Sequence, residues 1–79
     1  MQYNQLTDPQ RDAVAAWETE HNDNNEYEFS DNRRYAVPEQ AEQVAAYAAI
    51  KDDGCCGFCD VELQCSDGST LWYGFNYGH

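Results

Sequence analysis

From Asp60 to Tyr77 polar and apolar residues alternate almost without a break, and this period of two constrains the fold more than any other feature of the chain. Val61, Leu63 and Cys65 are separated by Glu62 and Gln64; Ser66-Asp67-Gly68 follows, and Leu71, Tyr73, Phe75 and Tyr77 form a second row. Alternation at two residues marks strands with one buried face. A Ser-Asp-Gly turn between two such runs marks a hairpin. A two-residue loop at Asp67-Gly68 would set Leu63 against Trp72 and Glu62 against Tyr73. A three-residue loop with Gly68 in the left-handed conformation sets Leu63 against Leu71 and Val61 against Tyr73. Only the second keeps the apolar rows on one face, so it is the expected register.

The rest of the chain supplies two helices and a second hairpin. Thr7-Asp8-Pro9-Gln10 has the spacing of a capping box, with proline suited to the first turn. Ala13, Val14 and Trp17 then make a narrow apolar stripe, and His21-Asn22-Asp23-Asn24-Asn25 ends the helix because Asn and Asp favour turns. Glu26–Ser30 and Arg34–Val37 read as a hairpin, with Tyr27 and Phe29 alternating with Glu26 and Glu28. Val37-Pro38-Glu39 announces a second helix, in which Ala41, Val44, Ala45 and Ala48 share a face up to the stop at Asp52-Asp53-Gly54. Tyr3–Leu6 reads as a further short strand. The expected fold is a single α+β domain over residues 1–79: a small antiparallel sheet of two hairpins, about four strands, with two helices packed on one face. The other face is expected to be wet and to carry Glu26, Glu28, Asp60, Glu62, Trp72 and Asn76.

Charge decides which partners such a fold can have. Fifteen Asp and Glu face four Lys and Arg, a net charge of −11 in 79 residues. That sign excludes binding to nucleic acid by phosphate neutralisation and excludes a polybasic membrane anchor. Disorder is excluded by 42% apolar residues together with two Trp, six Tyr and three Phe. No basic segment followed by an apolar stretch opens the chain, and the longest apolar run, Val44 to Ile50, is far below the roughly 20 residues that span a bilayer. The four cysteines crowd between positions 55 and 65 rather than stapling distant segments. A cytoplasmic protein, monomeric or weakly dimeric, is the expectation.

Two constellations could carry function. Carboxylates two residues apart on a strand point the same way, roughly 6.7 Å apart at about 3.3 Å per residue. Glu26, Glu28, Asp60 and Glu62, extended by Asp31, therefore form a candidate acidic face for a basic groove built to hold DNA or RNA. Trp72 is either an exposed anchor on that face, since Trp often dominates interfaces, or the cover of a second small core. Cys56 and Cys59 have the C-x-x-C spacing that brackets zinc, with Cys65 and either Cys55 or His79 needed to complete a tetrahedron. The same thiols also suit reduced structural roles, Cys65 lying in the inward row, or a disulfide or redox role. Catalysis finds no Ser–His–acid set, phosphate-cradling glycine loop or metalloprotease motif. His21 continues the Trp17 stripe and is placed to stack on that ring. No catalytic residue and no obligatory cofactor are expected.

Small size, the −11 charge, a compact α+β plan, aromatic richness and the ending Leu71-Trp72-Tyr73-Gly74-Phe75-Asn76-Tyr77-Gly78-His79 resemble the small acidic inhibitors carried by phages and mobile elements, especially anti-CRISPR proteins. The resemblance covers the whole chain in character and no shared motif. It implies a non-enzymatic inhibitor acting in the bacterial host cell, evading host defence by binding a CRISPR effector stoichiometrically and blocking DNA recognition or cleavage. Two alternatives stand beside it: a small zinc-binding or adaptor module organised by the Cys55–Cys65 cluster, and an acidic inhibitor of another nucleic-acid-binding enzyme.

Overall fold

The computed structural model describes residues 1–23, 33–49 and 57–77, with the side chains of 46–49, 58, 59, 76 and 77 left aside. A single 3-10 turn, Tyr3–Gln5, leads into helix α1 (Asp8–Asp23); strand β1 (Arg33–Ala36), helix α2 (Ala41–Ala49) and strands β2 (Gly57–Gln64) and β3 (Thr70–Tyr77) follow. The three strands are antiparallel in the order β1-β3-β2. The fold is α+β, as the alternating and helical periods predict. The expected strand at Glu26–Ser30 lies outside the described residues, so three strands are described where about four were expected.

The hairpin register is the three-residue one, with Leu63 opposite Leu71 and Val61 opposite Tyr73. The Gly68 N–H donates to the Cys65 carbonyl at 3.0 Å and the Cys65 N–H to the Ser69 carbonyl at 2.9 Å. Gly68 has φ +88°, the left-handed conformation that a side chain opposes. Asp67 fastens the turn: its carboxylate accepts from the Ser69 N–H at 3.0 Å and from the Ser69 hydroxyl at 2.6 Å. These hydrogen bonds hold its pKa below the usual carboxylate range.

α1 begins where its capping box places it. The Thr7 N–H donates to the Gln10 side-chain oxygen at 2.8 Å, and the Gln10 N–H to the Thr7 hydroxyl at 3.4 Å. Gln10 is buried by this exchange, a polar side chain with its acceptor used. α2 starts later than Pro38 implies. Pro38 and Glu39 form a turn, the Gln40 N–H donates to the Val37 carbonyl at 2.9 Å, and the Gln40 carbonyl accepts from Val44 at 3.0 Å. Tyr3–Gln5 is a 3-10 turn rather than a strand: the Gln5 N–H donates to the Gln2 carbonyl at 2.9 Å, and the Gln5 side chain accepts from the Gln2 N–H at 2.7 Å.

Alternation divides the sheet into two unlike faces. On one, Leu63, Leu71, Tyr73, Phe75 and Tyr35 are buried with Leu6, Cys65 and Val14, and Trp17 packs against them. Leu71, Tyr73 and Phe75 are completely buried, and each such side chain contributes about 1.5–3 kcal/mol by leaving water. Trp17 meets Tyr73 edge-on at 5.8 Å and Phe75 at 5.3 Å, while Tyr35 stacks on Tyr73 at 5.6 Å. α1 covers this face. α2 does not join it. Its Val44 packs with Trp72 against the buried Ala36, and Ala36 and Trp72 are register partners on the opposite face. The expectation that both helices share one face therefore holds for α1 only; the short link Val37–Gln40 leads α2 to the other side.

Candidate functional site

The face opposite the main core is built from Asp60 and Glu62 of β2, Trp72 and Gly74 of β3, and Arg34 and Ala36 of β1. Register sets Glu62 directly across from Trp72 and Asp60 across from Gly74, with Ala36 and Arg34 beyond them on β1. Glu62 is exposed, while Asp60 and Trp72 are half-buried. Of the carboxylates expected on one face, Asp60 and Glu62 share this side of the sheet, roughly 6.7 Å apart along one strand, and Arg34 of β1 lies on it too. Glu62 also accepts a hydrogen bond at 3.2 Å from the Gln64 side chain, whose oxygen takes one from Thr70 at 3.3 Å. Glu26, Glu28 and Asp31 lie outside the described residues.

Trp72 is half-buried. It packs against the fully buried Ala36, as does Val44 of α2. Of the two roles the sequence left open, the second small core is the observed one, with α2 as its lid. Glu62 is the register partner of Trp72 on β2.

Apart from Glu18, the remaining described acids are distributed over several sides. Asp8 and Asp12 stand at the start of α1, Glu20 and Asp23 at its end, Glu39 and Glu42 around the start of α2, and Asp67 at the hairpin tip; all are exposed. Among the described residues the phosphate-like row is the Asp60–Glu62 pair, set within a generally negative surface.

Cys59 and Cys65 do not converge. Cys65 is buried in the apolar core. Cys59 lies six residues earlier on the same extended strand, which puts their Cα atoms about 20 Å apart at about 3.3 Å per residue. Two thiolates on one zinc, each at roughly 2.3 Å, cannot be more than about 4.6 Å apart. Cys59 and Cys65 therefore cannot share an ion, and the set Cys56, Cys59 and Cys65 is not one coordination sphere; Cys56 lies outside the described residues. Among the described residues no three His, Cys, Asp or Glu side chains are grouped to hold a metal. No helix among them is long and apolar enough to cross a membrane.

One polar cluster escaped the sequence reading. Glu18 pairs with Arg33 at 3.0 Å and accepts a hydrogen bond from the Tyr73 hydroxyl. Burial, then the hydrogen bond and charge of Glu18, push the Tyr73 pKa up. Burial would lower the Arg33 pKa, but the Glu18 charge and the two tyrosines outweigh it and raise it. Burial raises Tyr35 as well. The signal was present: Val14, Trp17, Glu18 and His21 occupy i, i+3, i+4 and i+7, so a carboxylate stands in the apolar stripe. His21 closes that stripe by stacking on Trp17 at 3.9 Å, its Nδ1 2.8 Å from the Trp17 carbonyl. A cleft of about 360 Å³ opens beside the cluster, with Tyr3, Glu18, Arg33 and Tyr35 on its walls. Nearby, the N-terminal ammonium donates to the Tyr35 carbonyl at 2.9 Å. Glu18 is engaged by a cation and a hydroxyl, which makes it a tether between α1 and the sheet.

No family model matches the chain, and no curated protein or solved structure is similar to it.

Proposed function

We propose that the chain is a non-enzymatic inhibitor that occupies the cationic surface of a nucleic-acid-binding protein, with a CRISPR effector as the target its character resembles. The observation that carries this reading is the placement of Asp60 and Glu62 on one sheet face of a molecule with net charge −11. An excess of one charge accelerates encounter with a groove of the opposite sign and excludes nucleic acid from it. The target is basic because it binds phosphates, and the site of action is the bacterial cytoplasm. Glu62 and Asp60 supply the local complementarity, and the surrounding carboxylates supply the long-range field.

The test is competition. Added at stoichiometric amounts to a purified CRISPR surveillance complex, the chain displaces target DNA. The double variant Asp60→Lys, Glu62→Lys does not, although it folds. Displacement weakens as salt rises, because exposed charges are screened over about 8–10 Å near physiological ionic strength. Displacement undiminished in the double variant excludes this face, and no displacement by the wild-type chain excludes that target.

A further inference from the structure

We infer that the outer edge of β2 is a docking edge for an extended segment of the partner in which basic and apolar residues alternate, added as a further antiparallel strand. This mode of docking deepens the reading of the acidic face and rests on it. β2 is eight residues long and lies at the end of the sheet, and among the described residues no strand pairs with its outer side. The phase of its hydrogen bonding follows from the turn. The Cys65 N–H donates to the Ser69 carbonyl, and bonded and non-bonded pairs alternate along an antiparallel ladder. Leu63 and Val61 therefore bond to Leu71 and Tyr73. The N–H and C=O groups of Asp60, Glu62 and Gln64 point away from β3, toward an outer side that no other described strand occupies.

The residues that offer backbone bonds to an incoming strand are thus the residues that carry its charge. A partner residue bonded opposite Asp60 or Glu62 shares their face, where a lysine or arginine meets a carboxylate. The partner residues between them fall on the side of half-buried Val61 and buried Leu63, where an apolar side chain extends the core. Main-chain bonds give such a strand its affinity, and the alternating side chains give it selectivity. The same geometry opposes a second copy of this chain in the registers centred on the two carboxylates. Two-fold pairing of β2 with itself about Val61 sets Asp60 opposite Glu62 twice, and sliding one strand by two residues either way sets Asp60 on Asp60 or Glu62 on Glu62. Like charges directly opposite are destabilising, and charged edge strands resist self-pairing.

The experiment titrates the full chain with a short peptide of Lys-Val repeats, and with the same peptide N-methylated at its lysine amides, which keeps the charge and removes the strand bonds. Binding is expected to slow hydrogen exchange at the Asp60, Glu62 and Gln64 amides, which face the edge. The methylated peptide and the Asp60→Lys, Glu62→Lys variant each lower affinity roughly tenfold or more. Unchanged exchange at Leu63 and Leu71 certifies that the variant is folded. Equal affinity for the methylated peptide, no slowing at the three edge amides, or dimerisation through β2 overturns the inference. DNA displacement that persists when the edge amides stay unprotected sinks strand addition alone. Strand addition without DNA displacement leaves the edge in place and sinks the functional reading.

Discussion

Removing one hydroxyl, by Tyr73→Phe, tests how the helix layer is tied to the sheet. The Tyr73 ring is completely buried among Trp17, Tyr35 and Phe75, with centroids 5.5–5.8 Å away. Phenylalanine keeps those contacts, so the variant isolates what the hydroxyl contributes, its bond to Glu18 and its interaction with Arg33. A hydrogen bond to a charged group is worth about 1.5–3 kcal/mol. The Glu18 side chain is 23% exposed and keeps Arg33 at 3.0 Å, so water and the guanidinium recover part of the loss. The expected cost is about 1–2 kcal/mol in urea unfolding at neutral pH. A cost below about 0.3 kcal/mol, or full additivity with Glu18→Ala in a double-mutant cycle, would refute the tether.

The same residue sets the alkaline limit. Its folded-state pKa is raised, so the stability from the neutral buried phenol is fully present below the unfolded value, about 10. Above that pH the unfolded chain releases a proton that the folded chain keeps. Stability then falls by about 1.4 kcal/mol per pH unit for each such tyrosine until the folded pKa is reached. Tyr35, also raised by burial, adds to the slope. Tyr73→Phe therefore shows a shallower decline above pH 10 than the wild-type chain, and identical slopes would mean that the phenol is not held neutral.

Three further outcomes follow from local structure. Gly68→Ala costs about 1 kcal/mol in denaturant unfolding, because φ +88° strains any side chain although nothing lies within 4 Å of the added Cβ. Thr7→Ala costs about 1 kcal/mol by removing half of the α1 capping box, a loss read by the same assay. Leu71→Ala removes a side chain with 0% exposure from a small core, and at about 2–5 kcal/mol it takes a domain of this size to the edge of unfolding in thermal melts.

The parts of the fold legible in the sequence were those fixed by one local rule. The hairpin register followed from choosing the loop that keeps Leu63, Leu71, Val61 and Tyr73 together, and the α1 start from Thr7 and Gln10. What escaped was set by contacts distant in sequence. α2 begins after Gln40 because the Pro38-Glu39 turn is satisfied first, and it crosses to the Trp72 face because Ala36 and Val44 meet there. A short, alanine-rich helix does not record which face will receive it. Glu18 stands out in the sequence only as a carboxylate in the apolar stripe of α1, and that Arg33 and Tyr73 converge on it is set across the fold. In the candidate site, the pairing of Asp60 and Glu62 could be read from period two, whereas period two left Trp72 between two roles. The distance between Cys59 and Cys65 becomes decisive only once Cys59 is placed within β2 and Cys65 directly after its end.

The charge on the sheet face gives a way to separate binding from folding. Glu62 is exposed and its described contact is a neutral hydrogen bond from Gln64; such surface contacts contribute little. Against that stands the repulsion of a −11 chain, which destabilises the compact state. Neutralising both residues, Asp60→Asn with Glu62→Gln, removes two negative charges and leaves the Leu71, Tyr73 and Phe75 core untouched. The variant is therefore expected to melt at or above the wild-type temperature at low ionic strength, with the difference closing as salt screens the repulsion. It is expected at the same time to lose displacement of DNA from the target. A melting temperature several degrees below wild type at every salt concentration would show that the two carboxylates serve the fold. Retention of charge that lowers stability, with loss of binding when it is removed, is the pattern an acidic docking face requires.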